Sequence, residues 1–282
     1  MGFPIKLNLR PGESTALFAI SDPWKLRLSV TPVFAVNPDG ISITGLGTSF
    51  FVDETGTQLT AMHVVIDEIN SGTSGYVLEG HALAAPVRPS LGILHNPGLV
   101  YGMRPAGTFL SVLRMEVHPR DRSQDPLRFT LSDRELKEIE PGIDLAALRI
   151  QAKGDRAFRP LMLDAQGRHP VIPGSRVMAV GYPEITGVSG TITKSGPMIR
   201  YKETMRGSIA SVISVHETVG LGHNRWPTIV VDEEWPSGMS GGPVFSENGD
   251  VVGIVSRSGA GQGTAVWLQP LRQRSLILQR FA

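Results

Sequence analysis

Three short segments carry side chains that could act together as a nucleophile, a base and an orienting acid. They are TAMHVV around His63, GIDLAALRI around Asp144 and PSGMSGGP around Ser240. A serine hydroxyl is a poor nucleophile at neutral pH unless a nearby base accepts its proton, and that base needs an orienting carboxylate in turn. The order His, Asp, Ser is one of the chain orders in which this constellation occurs. The three segments therefore predict nucleophilic catalysis of acyl transfer.

Each of the three residues also has a plain structural interpretation. His63 could be an ordinary polar residue at the end of a strand, as we interpret the other six histidines, none of which shows metal-ligand spacing. Asp144 could cap a turn, but it leads directly into an apolar strand. A serine in a glycine-rich loop often marks only a turn, but glycines on both sides of Ser240 leave its hydroxyl accessible. The sequence context therefore favours the catalytic interpretation for all three.

The three segments resemble the trypsin/chymotrypsin-like serine peptidases, especially their bacterial, cysteine-free and HtrA-type members. The resemblance runs from about Gly45 to Leu268, with a weakly matching stretch between Asp67 and Pro141. It implies an all-β fold of two six-stranded antiparallel β-barrels packed together (chymotrypsin-like), with a short C-terminal helix. No PDZ domain is expected after the second barrel.

The resemblance also implies a role for each residue. His63 is the general base, Asp144 orients it, and Ser240 is the nucleophile of a serine endopeptidase that forms an acyl-enzyme. The backbone N–H groups of Gly238 and Ser240 are the expected oxyanion donors, since Gly238 can adopt φ values closed to other residues. No cofactor and no metal are implied.

The resemblance places a specificity pocket between two further segments. Glu234 stands six residues before the nucleophile, where the family has its pocket floor, and its carboxylate could pair with an Arg or Lys side chain. Equally, Glu233 and Glu234 could form a solvated charged turn. On the opposite wall the family often has Ser-Trp-Gly, whereas this chain has Ser256, Arg257 and Ser258. The lost glycine would narrow the pocket, and Arg257 could neutralise Glu234.

Met239 departs from the animal-peptidase pattern, which often has an aspartate before the serine. That aspartate receives the new N-terminal ammonium after zymogen cleavage. A methionine cannot form the ion pair, so we expect no activation by this route. Bacterial members also depart at this position.

The chain is predicted to contain an N-terminal extension and two barrels. The extension covers residues 1–40, with a candidate strand at 24–30. The first barrel covers 41–152 and carries His63 and Asp144, and the second covers 153–282 and carries Ser240. Residues 86–126 are rich in Pro, Gly and Arg and are predicted to be an insertion of extended loops, which would shape access to the site or receive a regulatory protein.

Local patterns predict several individual elements. Residues 47–52 and 58–61, joined by a turn at 53–56, are predicted to form a hairpin that leads to His63. Asn248-Gly249 is a strong signal for a second hairpin. Residues 176–183 form a strand that ends at Pro183, and residues 133–139 could form a helical turn. The polar run 151–156 is the candidate link between the barrels. A C-terminal helix is expected over 268–281, with Pro270 near its start.

Composition excludes several functional classes. Of 282 residues, 41% are hydrophobic and 19% charged, which indicates a globular chain. Lys plus Arg number 27 against 26 for Asp plus Glu, so no strong field favours nucleic acid or a membrane. The absence of cysteine favours a reducing compartment or a bacterial source. The N-terminus shows no signal-peptide pattern, so we expect a cytoplasmic protein unless a signal has been removed.

Two other functions fit the same residues. One is a catalytically silent module that holds peptide segments in the same cleft. The other is a regulated peptidase that acts on a restricted set of protein targets. In every case the expected partners are protein or peptide substrates, with a regulatory protein as a further candidate.

Overall fold

Strands joined by turns make up most of the described fold, as 32 glycines and 21 prolines predict. The computed structural model describes residues 3–5, 7, 9–20, 24–36, 43–70, 77–79, 82–84, 91–95, 108–119, 141–150, 158–164, 166–193, 196–217, 226–272 and 275–280.

The strands, in chain order, are β1 (Phe18–Ala19), β2 (Val30–Val36), β3 (Ile43–Phe51), β4 (Thr57–Thr60), β5 (Val77–Glu79), β6 (Ala82–Ala84), β7 (Leu91–His95), β8 (Thr108–Pro119), β9 (Pro141–Ile150), β10 (Arg176–Thr193), β11 (Gly196–His216), β12 (Thr228–Val231), β13 (Pro243–Ser246), β14 (Val251–Gly259) and β15 (Gln262–Trp267). The helices are α1 (Trp24–Arg27), α2 (His63–Asn70), α3 (Leu268–Leu271) and α4 (Leu276–Gln279).

Two closed antiparallel barrels of six strands each account for this order. In the first, the strands follow the sequence β8-β7-β2-β3-β4-β9, and β9 pairs back with β8. In the second, the strands follow β11-β10-β13-β14-β15-β12, and β12 pairs back with β11. The β5–β6 hairpin extends the first barrel beside β8, and β1 lies against β11 of the second. The predicted chymotrypsin-like fold class is therefore confirmed.

The two barrels share buried contacts. One hydrophobic cluster contains side chains of both, such as Val33 and Leu148 from the first barrel and Met178 and Ile254 from the second. The Tyr182 hydroxyl of the second barrel donates to the Val30 carbonyl of the first at 3.0 Å. These contacts hold the facing surfaces of the barrels together.

The predicted insertion at residues 86–126 is wrong, because this segment supplies two barrel strands. Strand β7 pairs with β2, and β8 pairs with both β7 and β9. Its residues Leu110, Val112, Met115 and Val117 are buried. The content of Pro, Gly and Arg suggested loops, but the apolar residues between them face the barrel core.

The boundary at residue 40 is also wrong. Strand β2 begins at Val30 and pairs with β3 and β7, so the first barrel starts about ten residues earlier than predicted. The candidate strand at 24–30 is instead the short helix α1, a turn at residues 28–29 and the first residue of β2. Farther upstream, β1 belongs to the second barrel through its pairing with β11.

The outcomes for the other local predictions differ. The hairpin at Asn248-Gly249 is confirmed, with Gly249 at φ +89° between β13 and β14. Strand β10 continues past Pro183, because a register shift between Gly181 and Glu184 removes the proline from the ladder.

The C-terminal helix is divided into α3 and α4, and Ser275 between them has an extended backbone and caps α4 by accepting from Leu278 N–H. Residues 133–139 and 151–156 lie outside the described residues. Among the described helices, none is long and apolar enough to cross a membrane.

Candidate active site

His63 and Asp144 meet where a helix begins beside a strand. Helix α2 starts at His63, and the first N–H groups of a helix have no partner within it. The Asp144 carboxylate accepts the His63 backbone N–H at 2.9 Å through Oδ1, and its Oδ2 lies 2.8 Å from His63 Nδ1. One carboxylate therefore caps the helix and orients the imidazole ring.

Strand register explains this meeting of residues 81 positions apart. In the antiparallel pair β4–β9, Thr60 lies opposite Ala146. If this register continues for two more residues, Met62, which precedes His63, lies opposite Asp144. The hairpin predicted to lead into His63 is thus present as β3–β4, and the strand predicted to carry Asp144 is β9.

The Asp144 side chain is fully buried, and this environment acts on its pKa in two directions. Burial raises the pKa, because it penalises the charged form. The hydrogen bonds from His63 and its electrostatic attraction, together with a hydrogen bond from Ser256, lower it. The lowering effects prevail, so the pKa of Asp144 lies below its ordinary value and the carboxylate stays ionised at neutral pH.

The serine loop connects β12 to β13 and turns sharply at Gly238. Met239 N–H donates to the Pro236 carbonyl at 3.1 Å, and Gly238 between them has φ +88°. A Cβ atom at Gly238 would lie 2.6 Å from the Tyr182 carbonyl oxygen, so only glycine fits. Within the described residues, the N–H groups of Gly238 and Ser240 have no hydrogen-bond acceptor. Both donors are therefore available to a substrate oxygen.

Ser256 joins the nucleophile candidate to the buried acid. Its hydroxyl donates to Asp144 Oδ2 at 2.5 Å, and its carbonyl accepts from Ser240 Oγ at 3.2 Å. Among the described residues, no hydrogen bond joins Ser240 Oγ to the His63 ring. Sequence reasoning placed Ser256 in the pocket wall and missed its contact with Asp144. A small polar residue at the end of the buried run VVGIVS was the available signal.

The other predicted pocket residues, Glu234, Arg257 and Ser258, differ in their surroundings. Glu234 is exposed, and within residues 226–272 no ion pair joins it to Arg257. The Arg257 guanidinium instead lies 6.0 Å from the centre of the Trp226 ring. Ser258 Oγ accepts from the backbone N–H of Trp235 at 3.1 Å. The segment that carries the predicted pocket floor therefore contacts the predicted opposite wall. The Trp235 side chain is buried.

The described residues contain no group of three or more acidic, histidine or cysteine side chains that could hold a metal ion. The polar groups of the site are the His63 imidazole, the Asp144 carboxylate, the Ser240 and Ser256 hydroxyls and the two free N–H groups of the serine loop. Such a set can move a proton, form an ester and bind a developing negative charge.

Comparisons with known proteins agree with this chemistry. Residues 47–254 match the family described as the trypsin-like peptidase domain. The match covers more than half of the chain, which therefore belongs to this family and is a trypsin-like serine endopeptidase. No curated protein sequence matches the chain significantly.

Solved structures show the same fold at low sequence identity. The crystal structure of Deg5 is 17% identical, with a TM-score of 0.52 over 89% of this chain and 89% of that chain. The HtrA-type protease AlgW, solved with a decapeptide, is 14% identical, with a TM-score of 0.50 over 95% of this chain and 67% of that chain.

Proposed function

We propose that the chain hydrolyses peptide bonds through an acyl-enzyme on Ser240. His63 Nε2 takes the hydroxyl proton as Ser240 Oγ attacks the substrate carbonyl carbon. The same proton then passes to the leaving amine as the peptide C–N bond breaks. Water, deprotonated by His63, releases the acyl group and restores the serine.

The observation that carries this proposal is the double contact between Asp144 and His63. An ionised carboxylate only accepts hydrogen bonds, so the Nδ1 atom 2.8 Å away must carry the proton. In the neutral ring, Nε2 is then the unprotonated nitrogen and can act as a base. The free N–H groups of Gly238 and Ser240 support the role of oxyanion donors.

The reaction also requires a rotation of the serine side chain. Ser240 Oγ donates to the Ser256 carbonyl, so it must turn towards His63 before attack. Catalytic hydrogen bonds are often long or misaligned without substrate and tighten in the complex.

Substitution of the three residues tests the proposal. Ser240→Ala and His63→Ala should each lower kcat by about 10⁶-fold, and Asp144→Asn by about 10⁴-fold. Cleavage of a fluorogenic peptide library measures the loss. A fluorophosphonate probe should label Ser240 in the wild type and fail in His63→Ala. Labelling and turnover by Ser240→Ala would place the nucleophile elsewhere.

The same experiment separates the proposal from a silent peptide-binding module. A binding module would hold peptides in the cleft without labelling by the probe and without turnover. A folded wild-type protein that binds peptides but shows neither activity would favour the module.

We further propose that the enzyme prefers small residues before the cleaved bond and cleaves a restricted set of proteins. The hydrogen bond between Ser258 and Trp235 N–H supports a shallow pocket, and the exposure of Glu234 argues against a buried carboxylate at its floor.

Two variants test the pocket. Ser258→Gly should raise kcat/KM for substrates with larger side chains at this position, because it removes the hydroxyl that joins the walls. Glu234→Gln should leave the preference unchanged. If Glu234→Gln instead weakened cleavage after Arg or Lys by about 1–3 kcal/mol of transition-state binding, Glu234 would be the floor of the pocket.

Mapping of new protein N-termini in a proteome, with Ser240→Ala as the control, tests the restricted target set. Few cleavage sites are expected. If the purified enzyme cuts its targets only after a cell extract is added, a regulatory protein controls it.

A further inference from the structure

Thr48 of the first barrel reaches across to the serine loop of the second. Its backbone N–H donates to the Ser240 carbonyl at 2.8 Å, and its hydroxyl donates to the Gly238 carbonyl at 2.7 Å. The two carbonyls stand on either side of Met239, and 190 positions separate Thr48 from Gly238. A single residue of one barrel thus holds the loop of the other at two points.

A third contact sets the direction of the hydroxyl proton. Tyr182 N–H donates to Thr48 Oγ1 at 3.1 Å. A backbone N–H can only donate, so it occupies a lone pair of the hydroxyl oxygen. The hydroxyl proton is then directed to the Gly238 carbonyl. Thr48 is fully buried, so its own atoms make these bonds away from solvent, whereas Gly238 and Ser240 are half-buried.

The surroundings leave little room for another partner. A Cβ atom at Gly181 would lie 2.8 Å from Met239 Cα and 2.9 Å from Thr48 Oγ1. A Cβ atom at Gly47 would lie 2.8 Å from the Ser240 carbonyl oxygen. If the Thr48 hydroxyl were removed, a water molecule could therefore not take its place without a shift of the serine loop.

Thr48 is also tied to the segment that presents the histidine. Its own carbonyl accepts from Thr60 Oγ1 at 2.7 Å, and Thr60 precedes His63 by three residues. A Cβ atom at Gly241 would overlap both the Thr48 carbonyl and Thr60 Oγ1. The base, the nucleophile loop and Thr48 thus form one hydrogen-bonded unit across the two barrels.

We infer that the Thr48 hydroxyl is a positioning group for the oxyanion hole, an inference that rests on the proposed function of Ser240. Peptide units are planar and rigid. The Gly238 carbonyl belongs to the unit between the two that carry the Gly238 and Ser240 N–H donors. Holding this carbonyl therefore restrains both donors, which must point correctly before the negative charge develops.

Thr48→Val tests the inference, because it removes the hydroxyl, keeps the side-chain shape and leaves the backbone N–H bond to Ser240. We expect kcat to fall about 10- to 100-fold, less than the about 10²–10³-fold loss for removal of a direct oxyanion donor. KM should change by less than about threefold, because ground-state binding does not use the oxyanion hole fully. Thr48→Ser keeps the hydroxyl and should restore most of the activity.

Thr228→Val is the matched control. Thr228 is also buried, and its hydroxyl donates to a backbone carbonyl, that of Trp226, at 2.7 Å. Both variants lose a hydroxyl that donates to a backbone carbonyl, but Thr48→Val also removes the acceptor of the Tyr182 N–H. Thermal unfolding should therefore show a loss of stability for Thr48→Val that is at least as large as that for Thr228→Val. Only Thr48→Val should lose kcat and bind a peptide boronate, which mimics the tetrahedral intermediate, more weakly.

The rates of all variants are measured below the unfolding temperature of the least stable variant. Each rate is then divided by the fraction of that variant that is folded, as judged by its circular dichroism. If Thr48→Val does not fold, Thr48→Ala removes the same hydroxyl without placing a methyl group against the Gly238 carbonyl. Equal kcat and equal boronate affinity in the Thr48 and Thr228 variants would overturn the inference. Activity in Ser240→Ala would instead overturn the proposed function on which it rests.

Discussion

The charge on Asp144 illustrates how single residues are balanced in this site. The carboxylate is fully buried, which by itself disfavours ionisation, yet it receives hydrogen bonds from two groups of His63 and from Ser256. Their combined effect lowers the pKa of Asp144 below its ordinary value. A carboxylate with a lowered pKa adds stability above the pKa of the unfolded chain and loses it as the pH falls through the folded pKa.

Removal of the Ser256 hydroxyl should therefore weaken the fold in a pH-dependent way. Ser256→Ala should lower the free energy of unfolding by about 1.5–3 kcal/mol at pH 7, the usual contribution of a hydrogen bond to a charged group. The difference from wild type should shrink as the pH falls through the lowered pKa of Asp144, where the carboxylate of the folded protein becomes protonated. Urea unfolding at pH 7 and at a series of pH values below the ordinary aspartate pKa of about 3.9 measures this change.

Ser208→Ala is the control for this prediction. Ser208 is fully buried, and its hydroxyl has no partner among the described residues. Its substitution should have an effect that does not depend on pH in this range. A pH-independent effect for Ser256→Ala as well would show that its hydroxyl does not stabilise the Asp144 charge.

At the scale of elements, strand β8 shows how a bulge changes a hydrophobic pattern. Leu110 and Val112 alternate as buried residues, and Met115 and Val117 alternate again after a shift of one position. The register with β9 shifts between Val112 and Arg114. An extra residue in one strand reverses which side chains face the core. Leu113, inside this shift, is 42% exposed.

Two leucines of β8 give a matched test. Leu110→Ala should lower the free energy of unfolding by about 2–5 kcal/mol, because it opens a cavity in the barrel core. Leu113→Ala should change it by no more than about 0.5 kcal/mol. Urea unfolding of both variants provides the comparison. Equal effects would contradict the assignment of β8 as a core strand of the first barrel.

At the scale of the whole molecule, the barrels are joined by more than the site. They share one hydrophobic cluster and the Tyr182–Val30 hydrogen bond. The segment 158–164 adds backbone bonds to both, from Leu161 N–H to Phe51 and from Val251 N–H to Met162. We therefore expect the barrels to unfold together.

This cooperativity can be measured with the tryptophans of the second barrel. Trp226, Trp235 and Trp267 are buried there, so in a Trp24→Phe background, which removes the fourth tryptophan, fluorescence follows that barrel. Leu110→Ala in the first barrel should lower the free energy of unfolding measured by fluorescence in urea. The decrease should equal the decrease in the free energy of opening that hydrogen exchange gives for the β8 amides. An unchanged fluorescence midpoint would show that the barrels unfold independently.

The sequence by itself determined the fold class and the candidate triad, because both depend on local patterns. Glycines around Ser240, the hairpin before His63 and the apolar strand after Asp144 are each readable within about ten residues. The family resemblance then ordered them into two barrels. The roles of the three residues stay predictions until the variants are measured.

The tertiary structure alone decided which groups surround these residues. The Ser256 hydroxyl faces Asp144 rather than the pocket, Glu234 faces solvent, and Thr48 holds the serine loop. The contacts of Ser256 and Thr48 join residues that are more than 100 positions apart in the sequence. Elsewhere, β-bulges shift the strand registers that decide which residues meet. Short-range patterns of hydrophobicity carry no information about such pairings, because the register is set by packing between the strands.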